Sequence, residues 1–305
     1  MQNKIKRKLG VHKAMLSQRF NTNISKYITL WLSIEGSGAF SLKHTWFKRQ
    51  YRFLKIRGQL KRVIKRLSAA DFSSETLDLS RLKDDPGILK LLETWLQFDV
   101  GQMEQSLNGD YALATEQFIK RANLLWPDMP KVEIFQALRN VWIMIAIQIL
   151  AKVPVLLTDA MFAYSMLYPL TDNIIDHPEL SESEKAAYVT RLGMRLNGLS
   201  IEQIAPHEKD AFDMVSLIES TFDRVQYPEV YSSILLIHEA QKRSISQQYE
   251  TLDQKTLMQL SFEKGAASVI ADGYLVLGHL NEAFLEFLTA YGVVLQLADD
   301  LQDIV

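Results

Sequence analysis

Apolar residues recur at helical spacing along most of this chain, and that period limits the possible fold more than any other feature. The sequence contains only 13 glycines and 8 prolines in 305 residues, which favours long helices joined by few tight turns. The pattern therefore predicts an all-α protein. The helical stretches that it predicts most clearly are 85–106, 108–130, 229–250, 254–278 and 281 to the end.

Charge divides the chain into two unequal parts. Residues 1–70 hold 17 of the 34 lysines and arginines but only one acid, Glu35, which gives a local balance of +16 against −18 for the remainder. After about residue 85 the linkers are short, and no Gly/Ser-rich hinge occurs. We therefore predict a basic N-terminal helical extension over 1–84 and one helical domain over 85–305.

The basic stretch 43–66, "KHTWFKRQYRFLKIRGQLKRVIKR", interleaves ten basic residues with aromatic residues and has no acid. Such a helix suits an anionic membrane surface, a nucleic acid, or the acidic remainder of the same chain. The third interpretation is favoured because a body of charge −18 needs a neutralising neighbour. Peripheral membrane contact through residues 1–66 stays open as an alternative, whereas nucleic acid is not an expected partner.

The chain offers little support for export or membrane insertion. The most apolar stretch, 141–170, is interrupted by Gln148, Lys152, Pro154 and Asp159, whereas a span needs about 20 predominantly apolar residues. We expect core helices that meet near Pro154. There is no cysteine, which excludes disulfides and thiolate chemistry and fits a reducing compartment. The predicted location is the cytoplasm, and peripheral attachment to a membrane is an alternative. An organellar targeting segment over the first thirty residues is a minor alternative.

The final stretch, "VVLQLADDLQDIV", places three acids on an otherwise apolar helix. Asp299 and Asp303 are four residues apart and share one helix face, with Asp300 beside them and Gln296 one turn earlier. On a solvated helix the repulsion between these charges costs only a few tenths of a kcal/mol. In apolar surroundings the desolvation cost is far larger, so the carboxylates need a counter-ion.

A second pair of carboxylates occurs in "TDNIID" at 171–176, after another apolar run. Asp172 and Asp176 again have i, i+4 spacing. Taken alone, each pair is more often a solvated helix end than a metal site. Together they provide hard oxygen ligands for Mg²⁺, which keeps positions for water and phosphate.

These motifs resemble those of known isoprenoid enzymes. "QLADDLQD" (296–303) is similar to the second aspartate-rich motif of trans-prenyl diphosphate synthases, and "DNIID" (172–176) resembles their first motif, with Asn173 at the position of its second aspartate. "DNIID" is also similar to the Asp-x-x-x-Asp of squalene and phytoene synthases. "FEKGAASVIADGYLVLGHL" (262–280) resembles the lysine-bearing helix of the family, with Lys264 followed by small residues that would open a cavity. The resemblance covers about residues 150–305.

The resemblance implies a class I isoprenoid synthase, an all-α bundle around a central apolar cavity. Such an enzyme uses Mg²⁺, three ions per site, to bind and ionise an allylic prenyl diphosphate. It implies that Asp172, Asp176, Asp299 and Asp303 are metal ligands, and that Asp300 either binds metal or orients the motif.

Further residues are candidates for binding the substrate. Lys264 is expected to contact the diphosphate on the strength of the resemblance, and Arg191, Arg195 and Arg243 on the strength of charge and position. A cap at Ser181 or Ser183 should begin the helix that carries the first two arginines. The remaining candidates are Gln241 near His238 on an apolar stretch, Gln296 in the second motif, and Tyr168, which stands where aromatic residues limit product length in prenyl synthases.

The sequence leaves the exact reaction open. The Gly-Lys-x-x-Arg-Pro-like segment and the paired arginines of chain-elongating synthases are missing, and so is the Asn/Ser/Glu motif of terpene cyclases. Chain elongation, cyclisation and head-to-head coupling therefore remain alternatives, as do a non-catalytic helical binding protein and a membrane-surface adaptor. The sequence ends two residues after Asp303, where members of the family usually continue with further helices, so either the N-terminal segment packs in their place or the domain lacks them. A homodimer is common in the prenyl synthase branch.

Overall fold

The computed structural model describes residues 2–37, 109–201, 205–246 and 253–303, and within these ranges the chain is helical with no strand. The all-α prediction is confirmed for this part of the chain. The stretch 85–106 and the basic segment 43–66 lie outside the described residues. The helices are α1 (Gln2–Ser37), α2 (Asp110–Leu125), α3 (Lys131–Ala151), α4 (Asp159–Ile175), α5 (Glu182–Leu196), α6 (Lys209–Thr221), α7 (Pro228–Ser246), α8 (Gln254–Leu277) and α9 (Glu282–Asp303), with a 3-10 turn at Pro206–Glu208.

The boundaries of the middle helices follow from local sequence. Helix α3 ends where Lys152 adopts a left-handed conformation with φ of 56°, two residues before Pro154. Helix α4 begins at Thr158, whose hydroxyl accepts a hydrogen bond from the Met161 backbone N–H. The predicted meeting of two core helices near Pro154 is thus confirmed. Helix α5 begins with a capping box between Ser181 and Glu184, which decides between the two serines considered as its cap.

Helix α8 lies at the middle of the bundle and packs against α9 and α7, and over smaller areas against α3, α1 and α4. Its second half is almost entirely buried. Helix α4 packs against α6 on one side and α3 on the other. The core is built from aliphatic and aromatic side chains from all of these helices, including Phe20, Phe118, Phe162, Tyr188, Tyr231 and Phe262. The hydrophobic effect of burying this surface stabilises the bundle.

Helices α8 and α9 approach each other so closely that their backbones touch. A Cβ atom at Gly265 would lie 2.4 Å from the Gly292 carbonyl oxygen, and one at Gly292 would lie 2.4 Å from the Gly265 carbonyl oxygen. Only glycine fits at either position. The small residues that follow Lys264 were expected to open a cavity. At Gly265, the structure uses the missing side chain for helix packing instead.

Helix α1 belongs to the same packed bundle. It lies on α7, α8 and α9, with Leu16, Phe20, Ile24 and Ile28 buried at successive turns. Its basic residues face acids of α9: Lys26 pairs with Glu286, and Arg19 Nε lies 3.9 Å from Glu282 Oε1. These contacts place basic residues of α1 against acids of α9, whereas the prediction that the stretch 43–66 covers the acidic remainder lies outside the described residues. Membrane contact by the rest of residues 1–66 stays a prediction.

Among the described helices, only α3 is long and apolar enough to cross a membrane. In its most apolar window 44% of the residues are buried inside the protein. The helix packs against α2, α4 and α8, which is the behaviour of a core helix.

Candidate functional site

A cavity of about 400 Å³ lies between α3, α4, α5, α7, α8 and α9. Its size falls within the range of small-molecule sites. Polar and apolar groups both contribute to the walls. Six of the residues predicted for the site line this one cavity: Tyr168, Asp172, Gln241, Lys264, Gln296 and Asp299.

Asp172 lies on the α4 wall of the cavity and Lys264 on the α8 wall. Burial first, and then the nearby Asp176 charge, raise the pKa of the Asp172 carboxyl to about 6, while the Lys264 ammonium opposes the rise. Within the described ranges, no side chain donates a hydrogen bond to the Asp172 carboxylate. The Asp172 carboxylate is thus a partly buried anion next to a second acid, and the Lys264 charge stabilises its ionised form.

Asp299 faces the same cavity from α9 and accepts a hydrogen bond from Arg139 on α3 at 2.8 Å. Both side chains are about half exposed, at 52% for Arg139 and 48% for Asp299. Exposed ion pairs of this kind contribute about 0–1 kcal/mol. A divalent cation or a phosphate group can therefore compete with either partner.

Tyr168 shows that the two acidic motifs face each other. Its pKa is raised first by burial and then by the charges of Asp172 and Asp299, with Arg139 opposing. Asp172 and Asp299 are 127 residues apart in the chain, yet both act on this one phenol. The ring itself is 44% exposed.

The other acids of the motifs occupy different surroundings. Asp300 accepts hydrogen bonds from Ser261 and from Gln296, the latter at 2.8 Å, and is therefore held against α8 and α9 rather than in the cavity. Asp176 is exposed at the C-terminal end of α4. Asp303 is the last residue of α9, and its side chain lies outside the described part of the structure.

The cavity wall is compatible with Mg²⁺. No group of three or more histidine, aspartate or glutamate side chains converges to a metal-binding arrangement among the residues that the structure describes. Mg²⁺ does not require one, because it commonly binds through one or two carboxylates and completes its octahedron with water and substrate phosphate. Asp172 and Asp299 both line the cavity, and the Lys264 ammonium lies near enough to act on the Asp172 carboxyl.

The three arginines predicted to contact a diphosphate are not part of the cavity wall. Arg191 pairs with the fully buried Glu208, and Arg195 pairs with Glu219 and also donates to Ser216 at 3.1 Å. Arg243 Nη1 lies 2.7 Å from the Glu263 carboxylate. These guanidinium groups therefore form ion pairs with acids of neighbouring segments instead of facing the cavity.

Two further polar residues of the wall come from α7. His238 is only 7% exposed and hydrogen-bonds to the Val189 backbone, while burial lowers its pKa. Its ring fits against Gly193, where an added Cβ would lie 2.8 Å from Nε2. The ring is therefore packed as expected for a core histidine, with one edge towards the cavity. Gln241 lies one turn further along α7 on the same wall.

The sequence interpretation missed several residues at the site. Arg139 and Asn140 on α3, Tyr164 on α4 and Ser268 on α8 line the cavity, and Asp272 lies behind them. Asp272 carries a signal in the sequence, since it is the only acid between Glu263 and Glu282 in a mostly apolar stretch. Arg139 follows the same rule as the only basic residue between Lys131 and Lys152.

Comparison with known proteins adds no assignment: no family model, no curated protein and no solved structure matches this chain.

Proposed function

We propose that this protein is a Mg²⁺-dependent enzyme that ionises an allylic prenyl diphosphate, as a prenyltransferase or terpene synthase. One observation carries the proposal. The leading aspartates of two motifs that resemble those of isoprenoid synthases line one cavity together with Lys264, although Asp172 and Asp299 are 127 residues apart. Acids gathered around one cavity cost free energy unless a counter-charge offsets them, and a metal ion and the lysine would supply that charge.

Each residue has a role that its position supports. Asp172 and Asp299 would hold Mg²⁺, which supplies charge stabilisation for the departing diphosphate. Lys264 would bind a phosphate oxygen between them. The Arg139 guanidinium, which pairs with Asp299, would exchange that carboxylate for a phosphate oxygen of the substrate. Gln296 would keep Asp300 in place through the 2.8 Å hydrogen bond, so Asp300 has an orienting role.

The apolar part of the cavity would take the prenyl chain and keep water away from the allylic cation. Ala137, Ile143, Leu167, Leu192, Leu196, Ile234 and Ile237 form this part of the wall. None of these side chains carries a nucleophile. Tyr168 and Tyr164 add aromatic rings, which favour a nearby cation.

The experiment is a measurement of inorganic diphosphate release from geranyl, farnesyl and geranylgeranyl diphosphate, with and without Mg²⁺ and isopentenyl diphosphate. We expect Mg²⁺-dependent release that falls about 100-fold or more in Asp172→Asn and in Asp299→Asn, by analogy with the loss of one charge-stabilising group in other active sites. Asp128→Asn, at an exposed position between α2 and α3, is the matched control and should keep full activity.

The same assay separates the possible reactions. A requirement for isopentenyl diphosphate indicates chain elongation, whereas release without it indicates cyclisation or coupling of two allylic substrates. If the folded protein releases diphosphate from none of the substrates, the enzymatic proposal is wrong. The cavity would then belong to a non-catalytic binding protein.

A further inference from the structure

Asp272 is a carboxyl group buried in the core without a hydrogen bond of normal geometry. It lies on α8 with 0% exposure, and neither of its oxygens accepts a hydrogen bond of normal geometry from the residues that the structure describes. Buried polar groups in folded proteins are almost always satisfied, so an exception indicates a water, a ligand or a functional role. The proposed reaction gives Asp272 no task.

The surroundings of Asp272 lead directly to the cavity. Tyr164 on α4 lies within hydrogen-bonding range of Ser268 on α8 and near the Asp272 charge. Asn140 on α3 is a weak hydrogen-bond donor to the Asp272 carboxyl, outside normal geometry. Asn140, Tyr164 and Ser268 all line the cavity. Tyr291 on α9 also feels the Asp272 charge. The Asp272 carboxyl therefore lies behind a cluster of polar side chains that line the cavity wall.

The contacts also show how deep this group lies. Asp172 on α4 is opposite Lys264 on α8, whereas Tyr164 is opposite Ser268 and Asp272. The two helices thus run antiparallel along the cavity. Eight residues separate Asp172 from Tyr164, and at 1.5 Å rise per residue this is about 12 Å. Asp172 and Lys264, at the predicted metal and phosphate site, form an outer polar level of the cavity. Tyr164, Ser268 and Asp272 form an inner polar level about two helical turns deeper.

The chemistry of the inner level is that of a hydroxyl site. A hydroxyl group donates one hydrogen bond and accepts others, and a carboxylic acid, a phenol, a serine and an amide can meet both needs. Burial raises the pKa of Asp272 far above the ordinary range for an aspartate, which favours the neutral carboxyl. Within the described residues no charged side chain pairs with Asp272, so the inner level would bind a neutral group of the ligand rather than a charged one.

We propose that Asn140, Tyr164 and Ser268 on the cavity wall, with Asp272 behind them, form a second subsite that binds a hydroxyl group at the far end of the ligand. This inference rests on the proposed function, since the diphosphate end of the ligand defines the first site. The preferred ligand is then a prenyl diphosphate that carries an oxygen at the end of its chain, rather than a pure hydrocarbon chain.

The test is isothermal titration calorimetry in Mg²⁺ with geranyl and farnesyl thiolodiphosphates, which resist ionisation, and with their ω-hydroxylated forms. For the natural protein we expect the hydroxylated probe of the matching chain length to bind at least about tenfold more tightly than the plain probe, as for a site built to hydrogen-bond a hydroxyl. In Asp272→Leu and Ser268→Ala this ratio should fall towards one. Ser220→Ala, at an exposed position on α6, should leave the ratio unchanged.

Each result has a clear meaning. If plain and hydroxylated probes bind the natural protein equally well, the second subsite is refuted, and a resident water satisfies Asp272. If neither probe binds in Mg²⁺, the proposed function fails first, and the subsite fails with it. Should Asp272→Leu not fold, Ser268→Ala and Tyr164→Phe give the same comparison with the carboxyl intact. An unchanged ratio in both also refutes the proposal.

Discussion

Replacement of Asp272 by Asn should change how the stability of the protein depends on pH. The carboxyl is fully buried and its pKa is raised well above that of a solvated aspartate. An unfolded chain releases this proton near pH 3.9, whereas the folded protein retains it to higher pH. Between those two values the folded state binds one more proton, so the free energy of unfolding falls as the pH rises.

The size of the effect follows from linkage. One proton contributes at most about 1.4 kcal/mol per pH unit, over the interval in which the folded protein keeps the proton and the unfolded chain has lost it. The free energy of unfolding of the natural protein should therefore fall through this interval because of Asp272. The Asn variant has no proton to release, so its stability relative to the natural protein should increase as the pH rises from 5 to 7.

The assay is urea unfolding at pH 5, 6 and 7, followed by circular dichroism, with the natural protein and the variant measured side by side. The other titrating groups are common to both proteins and cancel in the difference. Asp128→Asn controls for the substitution itself at an exposed site. A difference between Asp272→Asn and the natural protein that stays constant from pH 5 to pH 7 would refute the argument, because it would mean that the carboxyl has the same charge folded and unfolded.

Further substitutions test a helix cap and the packing of the bundle by thermal and urea unfolding. Gly292→Ala should destabilise the protein by about 3 kcal/mol or more, since its methyl group would lie 2.4 Å from a backbone carbonyl oxygen, whereas Gly10→Ala in open space on α1 should stabilise it by about 0.5–1 kcal/mol. Ser181→Ala should cost about 1 kcal/mol through loss of the capping box, and equal effects of Ser181→Ala and Ser183→Ala would contradict the assigned cap. Phe20→Ala should cost about 3–5 kcal/mol, and a much smaller loss would show that α1 does not pack on the bundle in solution.

Patterns that depend on neighbouring residues could be predicted from the sequence. The break near Pro154 and the helices of the C-terminal half follow from local period and from proline. The resemblance of two motifs predicted that Asp172, Asp299 and Lys264 share one site, and all three line the same cavity.

Long-range pairing could not be predicted in the same way. Arg191 and Arg195 share a helix face, and the sequence gives no means of knowing that this face meets Glu208 and Glu219 rather than the cavity. Asp272 shows a similar limit. Its isolation among apolar residues is visible in the sequence, but whether its oxygens have partners depends on α3, α4 and α9 together.

The backbone contact between Gly265 and Gly292 fixes the cavity walls formed by α8 and α9 relative to each other, while the wall formed by α4 lacks such a contact with α8. Helices α8 and α9 cannot slide or separate at this contact without losing it, so Lys264, Gln296 and Asp299 keep fixed positions relative to one another. Asp172 lies on α4, which touches α8 only over a short region and packs mainly on α6 and α3. A displacement of α4 would therefore alter the distance between the two acidic motifs while leaving the lysine and the second motif in register.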